Sequence, residues 1–142
     1  MKMVGDSFCE ARVRSFYIDD MLVCSCLVLF FRLKVCQWMS LTVGEGVAEL
    51  SFLESEPKLL SLTDIGDDFA YPISGCNFLD VYFGREVLGV FEYRVKAAAD
   101  VCIGVYFELE GGGVSVVEVD NCLSVVDGKD AELLEYTQLV SF

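Results

Sequence analysis

The feature that most constrains the fold is the apolar run at residues 21–35, which reads MLVCSCLVLFFRLKV. At a period of two residues, one face of this run is apolar throughout, and the other is apolar only until Arg32 and Lys34. The pattern predicts a long central strand, buried on both sides at its beginning and wetted at its end. The β-branched and aromatic content favours this strand over a buried helix, which is the alternative for a short apolar run.

The same run is too short to cross a membrane. A charge-free span needs roughly 20 residues, whereas Arg32 ends the uncharged part of this one. Asp19 and Asp20 precede it, where a secretory signal peptide carries basic residues. We therefore expect a core strand and no contact with a membrane.

Length and composition predict a single domain over residues 1–142. The chain is 54% hydrophobic with two prolines, so it has enough apolar surface to form a packed core. Valine, phenylalanine and tyrosine are frequent, and turn residues recur at hairpin spacing. The predicted fold class is mainly β: an antiparallel sandwich or strongly curled sheet of about seven or eight strands, with one short C-terminal helix.

Alternation and turn residues locate the elements along the chain. We predict turns at Asp19-Asp20 and at glycines 111–113, and a helix over residues 130–136 with Asp130 as its N-cap. Residues 36–41 and 97–100 are interpreted as connections, and residues 54–75 as a long loop. Trp38 is expected in the core. The predicted strands occupy residues 8–18, 21–35, 47–53, 76–83, 87–95, 101–109 and 114–126.

Seven cysteines, an odd number, favour reduced thiols that pack as small hydrophobic side chains. Cys24 and Cys26 share a strand face and are too close along the chain for an ordinary disulfide with each other. We therefore expect a reducing compartment, the cytoplasm. The chain has no histidine and no Cys-x-x-Cys, so no metal site is predicted.

The net charge of −13 is concentrated after residue 40. Residues 1–40 carry five basic and four acidic side chains, and the remaining residues carry five basic and nineteen acidic ones. Such a field argues against nucleic-acid binding, which requires lysine and arginine to displace counterions. It favours a basic protein partner, with a nuclease as the commonest kind. The alternative is that the acidity serves only solubility, and the sequence leaves both open.

Two groups of carboxylates are the candidate contacts for such a partner. The first lies on the long loop, which is a common place for binding residues. The second lies on two predicted strands and beside the glycine turn between them. Together they are Glu54, Glu56, Asp64, Asp67 and Asp68, and then Glu108, Glu110 and Glu118.

Histidine, the commonest general base at neutral pH, is missing, whereas paired carboxylates remain and leave a glycosidase-like site as the least favoured alternative. Without histidine, neither a Ser-His nor a Cys-His pair is possible within the chain. Glu108 and Glu110 fall on an outward strand face, where solvation is the default for a carboxylate. Cys36, after Arg32 and Lys34, is the best candidate thiol nucleophile, and we expect it to serve packing instead. The prediction is a protein that is not an enzyme, with no catalytic residue and no cofactor.

The N-terminal third resembles small immunity proteins of bacterial polymorphic-toxin systems. The resemblance covers residues 8–53 and rests on FCEARV at residues 8–13, FYID at 16–19 and LxLxFRL at 27–33. Cys9 and Glu10 stand where one such group has a histidine and an aspartate. The resemblance implies a cytoplasmic protein that binds and blocks a cognate toxin without catalysis of its own. Two alternatives remain: a phage-encoded acidic inhibitor that mimics nucleic acid, and a small-molecule-binding or oligomeric β-sandwich, with a homodimer as the simplest oligomer.

Overall fold

The computed structural model describes residues 2–142 and contains eleven strands, all paired antiparallel, within them. The strands are β1 Phe8–Ile18, β2 Met21–Leu33, β3 Trp38–Gly44, β4 Val47–Phe52, β5 Phe69–Ala70, β6 Ile73–Gly75, β7 Val87–Val95, β8 Ala98–Leu109, β9 Val114–Val119, β10 Cys122–Asp127 and β11 Thr137–Ser141. The prediction of a mainly β, antiparallel fold is confirmed.

Two sheets form a sandwich. Sheet 1 has the order β4-β3-β2-β1, with the short strands β5 and β6 both paired to β1. Sheet 2 has the order β10-β9-β8-β7-β11. Strands β1 to β4 and strands β7 to β10 are each joined by short turns, so within these two runs neighbours in sequence are neighbours in the sheets. The predicted number of strands was too low, because short strands at the sheet edges carry little periodic signal.

Three phenylalanine rings hold the two sheets together. Phe8 of β1 and Phe31 of β2 both meet Phe107 of β8 edge to face, with centroids 5.1 and 5.5 Å from the Phe107 ring. Each of these side chains is at most 2% exposed. Edge-to-face pairs at this distance add to the free energy gained by burying the rings. The hydrophobic core therefore lies between the sheets, on the inward faces of β1, β2 and β8.

The outer face of sheet 1 is covered by its own loop. After β4, residues 53–60 cross this face, and Leu60 pairs with Ile73 of β6 at the far side. Under the crossing, Trp38 is 5% exposed, and the Arg12 guanidinium lies 4.8 Å from its ring centroid. Arg12 also donates to the carbonyl of Pro57. The prediction that Trp38 is buried is confirmed.

The outer face of sheet 2 carries a buried chain of hydrogen bonds. The Asp130 N–H donates to the Tyr93 hydroxyl at 2.9 Å, and the Ser115 hydroxyl donates to the Gly128 carbonyl at 2.6 Å. The Tyr93 and Ser115 oxygens are 2.6 Å apart, so Tyr93 is left as the donor to Ser115. Both side chains are fully buried. This series of hydrogen bonds anchors residues 128–130 to β7 and β9, just before β11 begins.

Two strand predictions were wrong. Residues 76–83 form a turn and a short 3₁₀ helix, Asp80–Tyr82, rather than a strand. Tyr82 is buried there, and its hydroxyl donates to Asp127 at 2.7 Å. Residues 114–126 form two strands, β9 and β10, because Asp120 and Asn121 adopt φ values of 51° and 61° and reverse the chain.

Parts of the predicted connections are strands in the structure. Strand β3 begins at Trp38, within the predicted connection at residues 36–41, and β8 begins at Ala98. The long loop at residues 54–75 contains β5, β6 and a 3₁₀ helix, Leu62–Asp64. These elements are held by pairing with β1, which no local sequence signal reveals.

The predicted C-terminal helix is reduced to one 3₁₀ turn, Leu133–Glu135. The expected cap is present, since the Leu133 N–H donates to the Asp130 carboxylate at 3.2 Å. A short helical segment has little stability of its own. Here Thr137 already begins β11, which pairs with β7 and stops the helix from extending.

Strand β2 is buried at its end and exposed at its beginning, the reverse of the predicted order. Met21, Leu22 and Val23 are exposed, while the residues from Val28 to Phe31 are buried on both faces. Between Arg14 and Phe16, β1 advances two residues and its partner β2 advances four, from Val28 to Cys24. This bulge breaks the alternation, so Cys26 joins the central core beside odd-numbered residues of β2.

The expectation that all seven cysteines are reduced was also wrong. Cys24 of β2 is bonded to Cys122, the first residue of β10, across 98 residues of sequence. The two Cα atoms lie 6.0 Å apart, a normal separation for a disulfide. Cys9, Cys26, Cys76 and Cys102 remain thiols. The disulfide therefore links sheet 1 to sheet 2 covalently, whereas the strand pairs lie within each sheet.

Candidate protein-binding surface

Four hairpin turns lie together at one end of the sandwich, here called the hairpin end. The β1–β2 and β3–β4 turns share an end of sheet 1, and the β7–β8 and β9–β10 turns share an end of sheet 2, because alternate turns of a meander lie on the same side. The Gly46 N–H donates to the Asn121 side-chain oxygen at 2.8 Å, which brings the ends of the two sheets together.

The hairpin end is strongly acidic. Its four turns contain Asp19, Asp20, Glu45 and Asp120 as acids and Lys96 as the one base. Asp67 and Asp68 join them, since the Asp19 N–H donates to the Asp68 carbonyl at 2.9 Å. None of the six acids takes part in an ion pair within residues 2–142. The negative charge there is therefore not neutralised by the chain itself.

Backbone geometry explains part of this acidity. Asp19, Asp20 and Asp120 have φ values of 48°, 63° and 51°, and aspartate tolerates this left-handed region better than most side chains. Glu45 also has a positive φ, of 54°, but glutamate has no such preference. Asp67 and Asp68 adopt ordinary φ values. Turn chemistry therefore accounts for three of the six acids and leaves the other three to be explained by function or solubility.

Beside these acids lies a group of exposed hydrophobic side chains. Met21, Leu22 and Val23 are 72%, 54% and 54% exposed, and Phe69 and Tyr71 are 60% and 45% exposed. The last residues of β1 pair with both segments: Ile18 lies opposite Met21 on one side and Phe69 on the other, so the Met21 and Phe69 side chains share a face. Leu22 pairs with Tyr17 and lies on the opposite face. We call residues 17–23 and 67–71 the hairpin tip.

The tip extends past the second sheet. Cys24 is buried and bonded to Cys122 of sheet 2, but the three residues before it are exposed. Within residues 2–142, the first three residues of β2 are left exposed by sheet 2. The tip is ordered by its own contacts, since the Phe16 ring stacks on Tyr71 at 4.9 Å and on Phe69 at 6.3 Å between centroids.

The loop acids predicted as contacts fall into separate places. Asp67 and Asp68 lie in the tip. Asp64 lines an open groove of about 560 Å³ beside it, together with Tyr17 and Ile73. Glu54 is exposed on the segment that crosses the outer face of sheet 1. Glu56 lies on the same segment and is within 3.6 Å of the Arg12 guanidinium, so its charge is partly compensated.

The second predicted group does not form one patch. Glu118 is near the hairpin end, where its carboxylate accepts the Asn121 N–H at 2.7 Å. Glu108 and Glu110 lie toward the opposite end, because the Glu110 N–H donates to the Glu86 carbonyl and Glu86 pairs with Ser7. That end also carries basic side chains, among them Lys2, Lys34, Arg85 and Lys129. Its charge is mixed.

Sequence reasoning missed the tip's apolar residues. Asp19 and Asp20 were interpreted as turn residues only, and Met21 to Val23 as the start of a buried strand. Phe69 and Tyr71 lie within the predicted long loop, where no alternation marks them as part of a strand. The missing information was the bulge in β2 and the pairing of β5 with β1, both of which depend on long-range contacts.

Burial disfavours the thiolate form of the cysteines that the structure describes as thiols. Burial raises the pKa of Cys26 to about 12 and the pKa values of Cys76 and Cys102 to about 11. Burial and the nearby Asp6 carboxylate also raise the pKa of Cys36, the best sequence candidate. A raised pKa favours the protonated thiol at neutral pH, and the thiol is a weaker nucleophile than the thiolate.

Asp6 is the one buried carboxylate among residues 2–142, and its role is structural. Burial raises its pKa, but N–H donors from Ser7, Cys36 and Val35 outweigh that effect and hold the pKa below its ordinary value of 3.8. The donors lie 2.7–3.1 Å from the carboxylate oxygens. Asp6 thus closes the β2–β3 turn against the N-terminal segment.

Among residues 2–142, no three side chains of the types that ligate metals are grouped as a metal site requires. Within the same residues, no helix has the length and apolar character to cross a membrane. Comparison with protein-family models, with curated proteins and with solved structures found no match.

Proposed function

We propose that this protein is an immunity-type inhibitor, which binds a basic cognate toxin domain such as a nuclease and blocks it without catalysis of its own. The observation that carries the proposal is the hairpin end, where six acids stand against one base and have no ion-pair partner within the described chain. A field of one sign favours a partner of the opposite sign and speeds its association.

Two further points support this function. The N-terminal resemblance to immunity proteins covers β1 to β4, which build the sheet that carries the hairpin tip. The thiols Cys9, Cys26, Cys76 and Cys102 suit the cytoplasm, where a toxin must be neutralised inside the producing cell. The Cys24–Cys122 disulfide argues in the other direction. A phage-encoded inhibitor would use the same surface and would differ only in which basic enzyme it blocks.

The proposal is tested by titrating the protein against purified basic nuclease domains and measuring both binding and nuclease activity. Binding should weaken when salt rises from about 10 mM to about 150 mM, since the Debye length falls from about 30 Å to about 8 Å. Complete inhibition at one equivalent is the expected result. Binding that ignores salt, or no inhibition of any candidate, would refute the proposal.

A matched pair of variants locates the effect. Asp67→Asn with Asp68→Asn removes two charges from the hairpin end, and Glu108→Gln with Glu110→Gln removes two from the opposite end. The first pair should weaken inhibition and slow association, while the second should leave both nearly unchanged. An equal loss for the two pairs would show that net charge acts without a defined surface.

A further inference from the structure

We infer that the apolar side chains of the hairpin tip are the anchor of the docking surface, and that they take a cationic protein surface with an apolar group at its centre. The inference rests on the proposed function and deepens it, because it selects one of several acidic regions and adds a nonpolar requirement. Met21, Phe69 and Tyr71 form the centre, because Met21 and Phe69 both pair with Ile18 and the Phe16 ring stacks on both Phe69 and Tyr71. Asp19, Asp20, Asp67 and Asp68 form the rim.

The arrangement matches the usual anatomy of a protein interface. Interfaces have an apolar core enriched in aromatic residues and methionine, surrounded by a polar rim. In the tip, Met21 and Phe69 are the most exposed of the hydrophobic residues, and both lie opposite Ile18. Exposing several large hydrophobic side chains together costs free energy in water. Burial by a partner recovers that free energy.

The rim selects the kind of partner. A second copy of this chain would bring the same four aspartates against themselves and would add another net charge of −13. Nucleic acids and anionic membranes are repelled in the same way. A basic protein surface is attracted, and its lysine or arginine side chains can reach the rim while an apolar group enters between Phe69 and Met21.

The tip is also ordered before binding. The Phe16 ring stacks on Tyr71, the Asp19 N–H bonds to the Asp68 carbonyl, and the neighbouring Cys24 is tied to sheet 2. A preformed surface loses less conformational entropy when it binds, so more of the contact free energy appears as affinity.

Two peptides of equal positive charge test the inference. One carries lysine and arginine around a central Trp-Leu pair, and the other has serine at those two positions. Amide chemical shifts of the isotope-labelled full chain report where each peptide binds. We expect the first peptide to shift residues 19–23 and 67–71 and to bind at least about tenfold more tightly than the second, because buried aromatic anchors dominate interface affinity.

Variants separate the anchor from the rim. Phe69→Ser should remove most of the difference between the peptides, whereas Asp67→Asn with Asp68→Asn should weaken both. Val81→Ser is the matched control, since Val81 is 68% exposed in the 3₁₀ helix Asp80–Tyr82, outside the tip. All substitutions are at exposed positions, so the thermal unfolding midpoint should stay within a few degrees of the parent.

Three results would overturn the inference: equal affinity for the two peptides, shifts confined to other surfaces, or no binding by either. A native dimer that Phe69→Ser dissociates would also overturn it, because the occupant would then be a second copy. The outcome is separable from that of the proposed function. If the peptide binds at the tip but no nuclease is inhibited, the docking surface is supported and the toxin-inhibitor function is refuted. If a nuclease is inhibited equally well by the Phe69→Ser variant, the inhibitor function is supported and the docking surface is refuted.

Discussion

The backbone N–H of Asp19 donates a 2.9 Å hydrogen bond to the carbonyl oxygen of Asp68, across 49 residues of sequence. This bond places two acidic pairs, one from the β1–β2 turn and one from the long loop, at the same edge of sheet 1. Neither pair is notable alone, because aspartate is common in turns and loops. Together with the exposed side chains of Met21 and Phe69, they define a surface that can act on a partner.

Replacing Asp19 and Asp20 with asparagine should separate charge from turn geometry. Asparagine tolerates the positive φ values of 48° and 63° at these positions, so the β1–β2 turn should persist. We expect stability to stay within about 0.5 kcal/mol of the parent, while association with a basic partner slows at low salt. Urea unfolding and stopped-flow association measure the two effects. A large loss of stability would show that the carboxylates have a structural role.

Opening the Cys24–Cys122 bond should destabilise the sandwich. The bond closes a long loop and is the covalent link between the sheets, and such disulfides typically contribute about 2–4 kcal/mol. Cys24→Ser with Cys122→Ser should lower the free energy of unfolding by that amount in denaturant titrations. Adding a thiol reductant should destabilise the parent and leave the variant unchanged. If the reductant affects both equally, the remaining cysteines also contribute bonds.

Tyr93→Phe should destabilise sheet 2 by about 1–3 kcal/mol, the cost of leaving buried polar groups without a partner. The Tyr93 hydroxyl accepts the Asp130 N–H and donates to the Ser115 hydroxyl, and its loss affects both. Tyr71→Phe is the control, because Tyr71 is 45% exposed and water replaces any lost contact. In a double-mutant cycle, the changes in the free energy of unfolding caused by Tyr93→Phe and Ser115→Ala should be strongly coupled. Additive effects would mean that the hydrogen bonds act separately.

The lowered pKa of Asp6 predicts that the protein loses stability in acid. Its pKa is held below the ordinary 3.8, so the folded state binds fewer protons than the unfolded state near that pH. The stabilisation is therefore complete well above pH 3.8 and is lost as the pH falls through the lower folded pKa. Asp6→Asn should lower stability at neutral pH by about 1–3 kcal/mol and flatten the acid limb. Urea midpoints over a pH series measure the stability at neutral pH and its decline in acid. If Asp6→Asn leaves the decline in acid unchanged, other carboxylates are responsible for it.

Local sequence patterns predicted much of the fold for reasons that the structure makes clear. Trp38 was placed inside because a large aromatic residue in so apolar a chain gains most from burial, and it lies beneath Arg12 and the crossing loop. The turns at Asp19-Asp20 and at residues 111–113 were found because few residues accept positive φ. Residues 76–83 were misassigned because alternation over a few residues also occurs by chance in a turn, and there only the core contacts of Tyr82 decide.

The residues alone predict a mainly β, antiparallel chain with a large negative charge, because alternation, turn residues and composition are local properties. The place where the charge and the exposed apolar side chains meet follows from long-range contacts. That depends on the bulge in β2, on the pairing of β5 with β1 and on the contact between Gly46 and Asn121. Each of these joins residues distant in sequence, and their relative positions are set by packing the two sheets around Phe8, Phe31 and Phe107.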